Sequence, residues 1–230
     1  MTKRFLAPLL LLALVLPTAA QAQNSEIPLE SKKFMNAGLG FGWHFLQDDA
    51  YQGVYGDKGR FLTKLQFGVV PWSKYVHVEI NGTFSFTQFT GQQQLSISGG
   101  ASADDIMFTL MPIGVDLLVG IDIAYEQPVV PFGGIGFNYT VFRENEPNGG
   151  DTFTGYRFGP SFFFGGAFLL DWIERGRASE VDSKAGINDA FFTIEGRYNQ
   201  ATKLSQDGAI ADGPFTLRGW QVTMGVKLVI

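Results

Sequence analysis

The chain has no cysteine, only two histidines, and no long apolar run beyond its first two dozen residues. Each absence removes a class of protein. Without thiols there is no disulfide framework and no thiolate or cysteine-rich metal site. Two histidines, His44 and His77, are too few for a multi-histidine zinc site. No later segment offers the roughly twenty apolar residues that a spanning helix needs, so any crossing of a bilayer has to be made by strands. Nor is there a basic run. With 17 Lys and Arg against 22 Asp and Glu, the formal charge is −5, which argues against nucleic acid as a partner.

The one long apolar run is N-terminal. "MTKRFLAPLLLLALVLPTAAQAQ" places Lys3 and Arg4 before an apolar stretch over 5–16 and ends on Ala20-Gln21-Ala22. A short positive segment, an apolar core and a small-x-small site read as a secretory signal peptide cleaved after Ala22. Residues 1–22 are then the signal, and 23–230 a single domain whose charge, without Lys3 and Arg4, is about −7.

What the mature stretch does have is glycine (29 in the chain), phenylalanine (22) and a period of two. In "VHVEINGTFSFT" (76–87), Val76, Val78, Ile80, Phe84 and Phe86 oppose His77, Glu79, Asn81, Thr83, Ser85 and Thr87. Seven further stretches behave similarly: 35–46, 60–69, 105–119, 132–142, 154–170, 190–199 and 219–230. The stretch 105–119 alternates poorly and carries Pro112, which interrupts a ladder. Strict alternation means strands with unlike faces. Polar loops are expected at 47–59, 90–104, 143–150 and 200–213, with mostly tighter links between them. That asymmetry predicts an up-and-down barrel. In "DWIERGRASEVDSKAGIN" (171–188), Asp171 with Glu174 fits a capping box and Gly186 a C-terminal stop, predicting a short helix at 171–182 on the tight-link side.

Side-chain volume decides which face meets which solvent. The apolar parity is bulky, and the other is rich in Gly, Ser, Thr, Ala and Asn. An eight-stranded interior is just wide enough for its side chains, so the bulky parity is expected outward and the small polar parity inside. An apolar band of that size requires lipid. With the mature N-terminus on the periplasmic side, Trp43, Tyr139, Tyr156, Tyr198 and Trp220 fall near the outer strand ends on the outward parity, as an aromatic girdle would. Val78 is expected outward at mid-bilayer. The fold class is therefore all-β: an eight-stranded antiparallel up-and-down transmembrane β-barrel with a short periplasmic-side helix.

These features together resemble the small bacterial outer-membrane β-barrel proteins of the OmpA and OmpW kind. The resemblance implies residence in the Gram-negative outer membrane, contact with outer-membrane lipid, and insertion by the barrel-assembly machinery through the C-terminal strand. In that strand Ile230 stands where the family usually has Phe or Trp. The stretch "FLLDWIERGRASEVDSKAGINDAFFTIEGRY" (168–198) also resembles a myxobacterial-type subgroup with a helical insert before the seventh strand.

The search for chemistry returns little. No Gly-x-Ser-x-Gly element or phosphate loop stands between a strand and a helix. "GLGFGWH" (38–44) sits within a strand, where its glycines make space. His77 and Glu79 lie two apart on the inward face, as a base and its orienter would, or simply as a hydrogen-bonded pair in the lumen. No cofactor, metal or enzymatic activity is expected. The informative polar set is the inward one: His44, Arg60, Lys64, His77, Glu79, Asp116, Arg157, Glu195, Arg197 and Lys227. Enclosed charges must be paired or wetted. They form either a salt-bridge core that plugs the barrel or the lining of a narrow pore. The expected role is structural or surface interaction. A narrow channel or small-solute transporter is the alternative, and a lipid-modifying enzyme the third reading.

Overall fold

The computed structural model describes residues 34–73, 75–94, 101–123, 127–145, 152–170, 189–201 and 217–230. The predicted signal peptide and the predicted helix at 171–182 lie outside these residues. Eight strands follow in chain order: β1 (Met35–Leu46), β2 (Arg60–Ser73), β3 (Val76–Gln94), β4 (Ala101–Ile121), β5 (Val129–Asn145), β6 (Thr152–Leu169), β7 (Asp189–Ala201) and β8 (Leu217–Val229). Each pairs antiparallel with its sequence neighbour, and β8 closes on β1. Among the described residues no helix is long and apolar enough to cross a membrane.

One hydrogen-bonded row can be followed right around the wall. It runs from Phe158 through Tyr139, Ile113, Phe84, Leu65, Leu39, Val226 and Phe192 to Phe168. The row leaves β6 at Phe158 and returns to it at Phe168, ten residues along, which is the stagger that closes the barrel. Every side chain on it is aliphatic or aromatic. Phe84 is 39% exposed, Leu39 44% and Val226 45%, values that belong to a belt facing lipid. The outward assignment of the bulky parity stands, with Phe84 and Val222 on the outer surface rather than around the axis.

Several expectations need correction. The polar loop at 47–59 contains a helix, α1 (Asp49–Tyr55). Its last turn closes by Gly56 N–H donating to Gln52 O at 2.9 Å, and Gly56 takes the left-handed φ of 79° that a helix end favours. The loop at 90–104 is mostly strand, because β3 runs on to Gln94 and β4 begins at Ala101. Finally, the interior is not filled by small polar groups alone. One apolar cluster holds Leu46, Tyr55, Phe89, Phe108, Leu110 and Phe142 at the α1 end. A second holds Leu118, Val130, Phe132, Phe163, Phe191 and Val229 at the opposite end.

Those clusters explain the poor alternation of β4. Its inward Ile106, Phe108, Leu110 and Leu118 serve the two clusters, so both parities read as apolar. Pairing of β3 with β4 lapses between Phe84↔Ile113 and Thr87↔Leu110 and resumes in the same register, as expected where Pro112 offers no N–H.

Val78 is not at mid-bilayer. It lies two residues into β3, half-buried, opposite Trp72, where the β2–β3 register shifts. Phe84 takes the mid-belt position instead. In refolding titrations into lipid vesicles, Phe84→Arg is expected to cost about 2–4 kcal/mol and Val78→Arg about 0–1 kcal/mol, following the depth dependence of charge on a lipid face. The inward Thr83→Ser should be nearly silent.

Candidate functional site

Between the two apolar clusters lies a belt of charged and amide side chains, brought together by strands far apart in sequence. Glu195 on β7 is its centre. Its carboxylate accepts from Lys64 Nζ on β2 at 2.7 and 2.8 Å and from Arg197 Nε at 2.9 Å. Arg197 in turn makes a two-pronged pair with Asp116 on β4, with Nη1 to Oδ1 at 2.9 Å, and donates from Nη1 to Ser161 Oγ at 3.2 Å. Bidentate Arg–carboxylate geometry is the strong form of an ion pair. Asp116 fits because Gly136 faces it on β5: any Cβ there would collide with Asp116 Oδ1.

A second group gathers on Glu79. Lys227 Nζ donates to its Oε1 at 2.8 Å, while Asn36 and Asn81 each donate to Oε2 at 3.1 Å. Asn36 also donates to Asn81 Oδ1 at 2.9 Å. His77 Nε2 comes within 3.3 Å of Glu79 Oε1, but without the alignment of a hydrogen bond. Glu79 is only 2% exposed, so burial of its charge rests on this set of donors.

Cations also tie the belt to the apolar clusters. Arg197 lies over the Phe163 ring at 4.4 Å, Lys227 over Phe191 at 5.6 Å and Arg157 over Phe142 at 5.3 Å. These contacts are attractive and stronger away from water.

The remaining lumen candidates behave differently. Arg157 is buried and donates from Nη1 to Tyr156 O at 3.0 Å, yet it has no carboxylate partner among the described residues. Arg60 sits half-buried at the α1 end and bonds the backbone carbonyls of Tyr55 (3.3 Å) and Thr90 (3.2 Å), apart from the ionic belt. His44 is buried, packs edge-on to Phe89 with centroids 5.8 Å apart, and its ring nitrogens have no hydrogen-bond partner among the described residues. Neither imidazole reaches the lipid face. Among the described residues no three His, Asp or Glu side chains group as metal ligands would.

Sequence reasoning missed the contribution of Leu62, Phe89 and Leu110, which are at most 1% exposed and fill the lumen around the belt. It also missed Tyr55. The α1 residue packs on Phe108 at 5.3 Å and, buried there beside Glu144, has its hydroxyl pKa pushed up. Small cavities persist among the described residues. One of about 40 Å³ is lined by Lys64, Glu195 and Lys227 among others, and one of about 20 Å³ by His77, Glu79, Asp122, Asp189 and Lys227. A cavity needs roughly 10–15 Å³ to hold one water, so each has room for very few molecules.

The proposed aromatic girdle falls into two groups and a single residue. Tyr139 contacts Tyr156 and Phe158 at 5.6 and 4.8 Å, and Tyr198 contacts Trp220 at 5.1 Å. Trp43, 46% exposed, lies between Phe61 and Val222 in the register.

Breaking a buried pair by removing one partner costs about 3–5 kcal/mol, because the other charge is left uncompensated. Arg197→Met should therefore lower folding stability in vesicles by about that amount. Arg157→Met removes a buried charge that has no ionic partner among the described residues and should leave stability unchanged or raised. Urea titrations of the two variants side by side check both signs.

No family model matches the sequence, and no match is found among curated proteins. Solved structures do match. The outer membrane protein OprG from Pseudomonas aeruginosa superposes with a TM-score of 0.54 at 16% identity, covering 87% of this chain and 97% of that chain. Ail, the attachment invasion locus protein of Yersinia pestis, gives a TM-score of 0.45 at 11% identity over 86% of this chain and 99% of that one. Ail in complex with the heparin analogue sucrose octasulfate gives 0.46 at 12% identity, over 86% and 99%. The likeness to OprG is one of fold: this chain is a closed eight-stranded antiparallel β-barrel of the kind found in small outer-membrane proteins.

Proposed function

We propose that the chain is an integral outer-membrane β-barrel with a sealed lumen, acting as a structural or surface-interaction protein rather than as a conduit. On this reading the signal peptide is removed after Ala22, the terminal strand is handed to the assembly machinery, and acyl chains surround the apolar belt. The α1 end, with the long β3–β4 hairpin, faces outward. Trp43, Tyr139, Tyr156, Tyr198 and Trp220 sit at the headgroup boundary as its girdle.

One observation carries the reading. An ionic belt with its carboxylates fully partnered is bounded on both sides by apolar clusters, one of them under α1. An ion entering from either mouth would have to cross Phe89, Phe108 and Phe142 or Phe132, Phe163 and Phe191 before reaching the ionic belt, and the desolvation cost opposes it. The channel reading has the 40 Å³ cavity beside Lys64 and Lys227 in its favour.

Planar-bilayer recording separates the two. Refolded protein, first verified by a heat-modifiable band in electrophoresis, is expected to give no discrete conductance steps. Regular steps that change size in Glu195→Gln would establish the channel instead.

A further inference from the structure

Along the outer surface, β3 and β5 to β8 turn from aliphatic or aromatic to polar in a single step at the α1 end; on β4 the step is broken, since Thr109 is buried and Met107 beyond it is exposed. The positions at this level on the outward parity are Gln88, Thr109, Arg143, Thr154, Gln200 and Arg218. Four of them form one unbroken row, since Gln88 pairs with Thr109, Thr109 with Arg143 and Arg143 with Thr154. Gln200 and Arg218 pair with each other on the far side of the barrel. All six are hydrogen-bond donors. None is a carboxylate, although the chain carries 22 acidic residues against 17 basic ones.

The two arginines are held alike. Arg143 Nε donates to Asn145 Oδ1 at 2.8 Å, and Arg218 Nε donates to Gln47 O at 3.0 Å. One bond through Nε fixes each guanidinium and, among the described residues, leaves both terminal nitrogens uncommitted. Neither makes an ion pair among the described residues. Immediately below them lie Val141 on β5 and Trp220 on β8, the last apolar outward residues of their strands.

We propose that Arg143 and Arg218, with the exposed Gln88, Thr154 and Gln200 side chains at the same level, form two binding stations for the anionic phosphate of a lipid headgroup. A guanidinium that presents two terminal nitrogens matches phosphate oxygens in a paired fashion. A lipid is the occupant because the apolar belt fixes its height: acyl chains lie against Val141 and Trp220, which brings a headgroup phosphate level with the next outward position. A free phosphate would have no such anchor. The proposal rests on the membrane-inserted reading above and adds a ligand class to it.

The test is native mass spectrometry of the refolded barrel in a zwitterionic detergent, titrated with bisphosphorylated lipid A, with the same lipid dephosphorylated, and with inorganic phosphate as competitor. Phosphorylated lipid should bind at least tenfold more tightly than the dephosphorylated form, and inorganic phosphate should not displace it. Arg143→Gln/Arg218→Gln should lose about tenfold or more of that affinity, the double Lys variant should recover part of it, and Lys58→Gln, exposed in the loop after α1, should change nothing. Equal binding of the dephosphorylated lipid, or a double Gln variant that binds as the parent does, overturns the proposal. Displacement by inorganic phosphate overturns the lipid assignment. A chain that gives no heat-modifiable band removes both this proposal and the membrane reading. A folded barrel with no phosphate preference removes this proposal alone.

Discussion

Hydrocarbon offers no hydrogen bonds, so each backbone N–H and C=O at membrane depth has to be paired within the chain. A sheet can satisfy that demand only by having no edge. Here the seam between β1 and β8 runs from Asn36↔Val229 to Leu46↔Gly219. Past its end, Phe34 N–H and Met35 N–H both donate to Ile230 O at 2.8 and 2.9 Å, and Ile230 N–H donates to Met35 O at 2.9 Å. The period of two in the sequence follows from the same constraint, since a closed wall has one face in lipid and the other in the tube.

Closure with eight strands and a stagger of ten leaves an interior that side chains can fill, and the chain fills it in three zones. The ends are apolar and the middle is ionic. The zones are joined by the cation–ring contacts of Arg197, Lys227 and Arg157, so the ionic belt leans on the phenylalanines that bound it. Glycine makes the necessary room on the facing strand, as Gly136 does for Asp116 and Gly120 for His77.

Much of this architecture was legible in the sequence because alternation is a local signal. Along β3, where Glu79, Asn81, Thr83, Ser85 and Thr87 are buried while Ile80, Phe84 and Phe86 face out, the two faces separate cleanly. β4 hid its facing because inward Phe108 and Leu110 look the same in sequence as outward Ile113 and Val115; only their neighbours across the tube distinguish them. The helix α1 was concealed by a polar composition that suits any loop, and the residue that seats it, Tyr55, is meaningful only beside Phe108. The charges were visible one by one, but their partners were not. Which lysine meets Glu195, and that Arg157 meets no carboxylate among the described residues, depend on register and stagger around the whole wall, which no single strand encodes.

That distance between partners has a kinetic side. Lys64 and Glu195 are 131 residues apart, Asp116 and Arg197 81, and Glu79 and Lys227 148. Glu195 and Arg197 bring their partners together only once β7 is in place, and Glu79 meets Lys227 only when β8 docks and closes the ring. A half-wound sheet leaves carboxylates and cations without partners, which is costly away from water. The ion pairs across the tube thus favour the complete ring over any partial one.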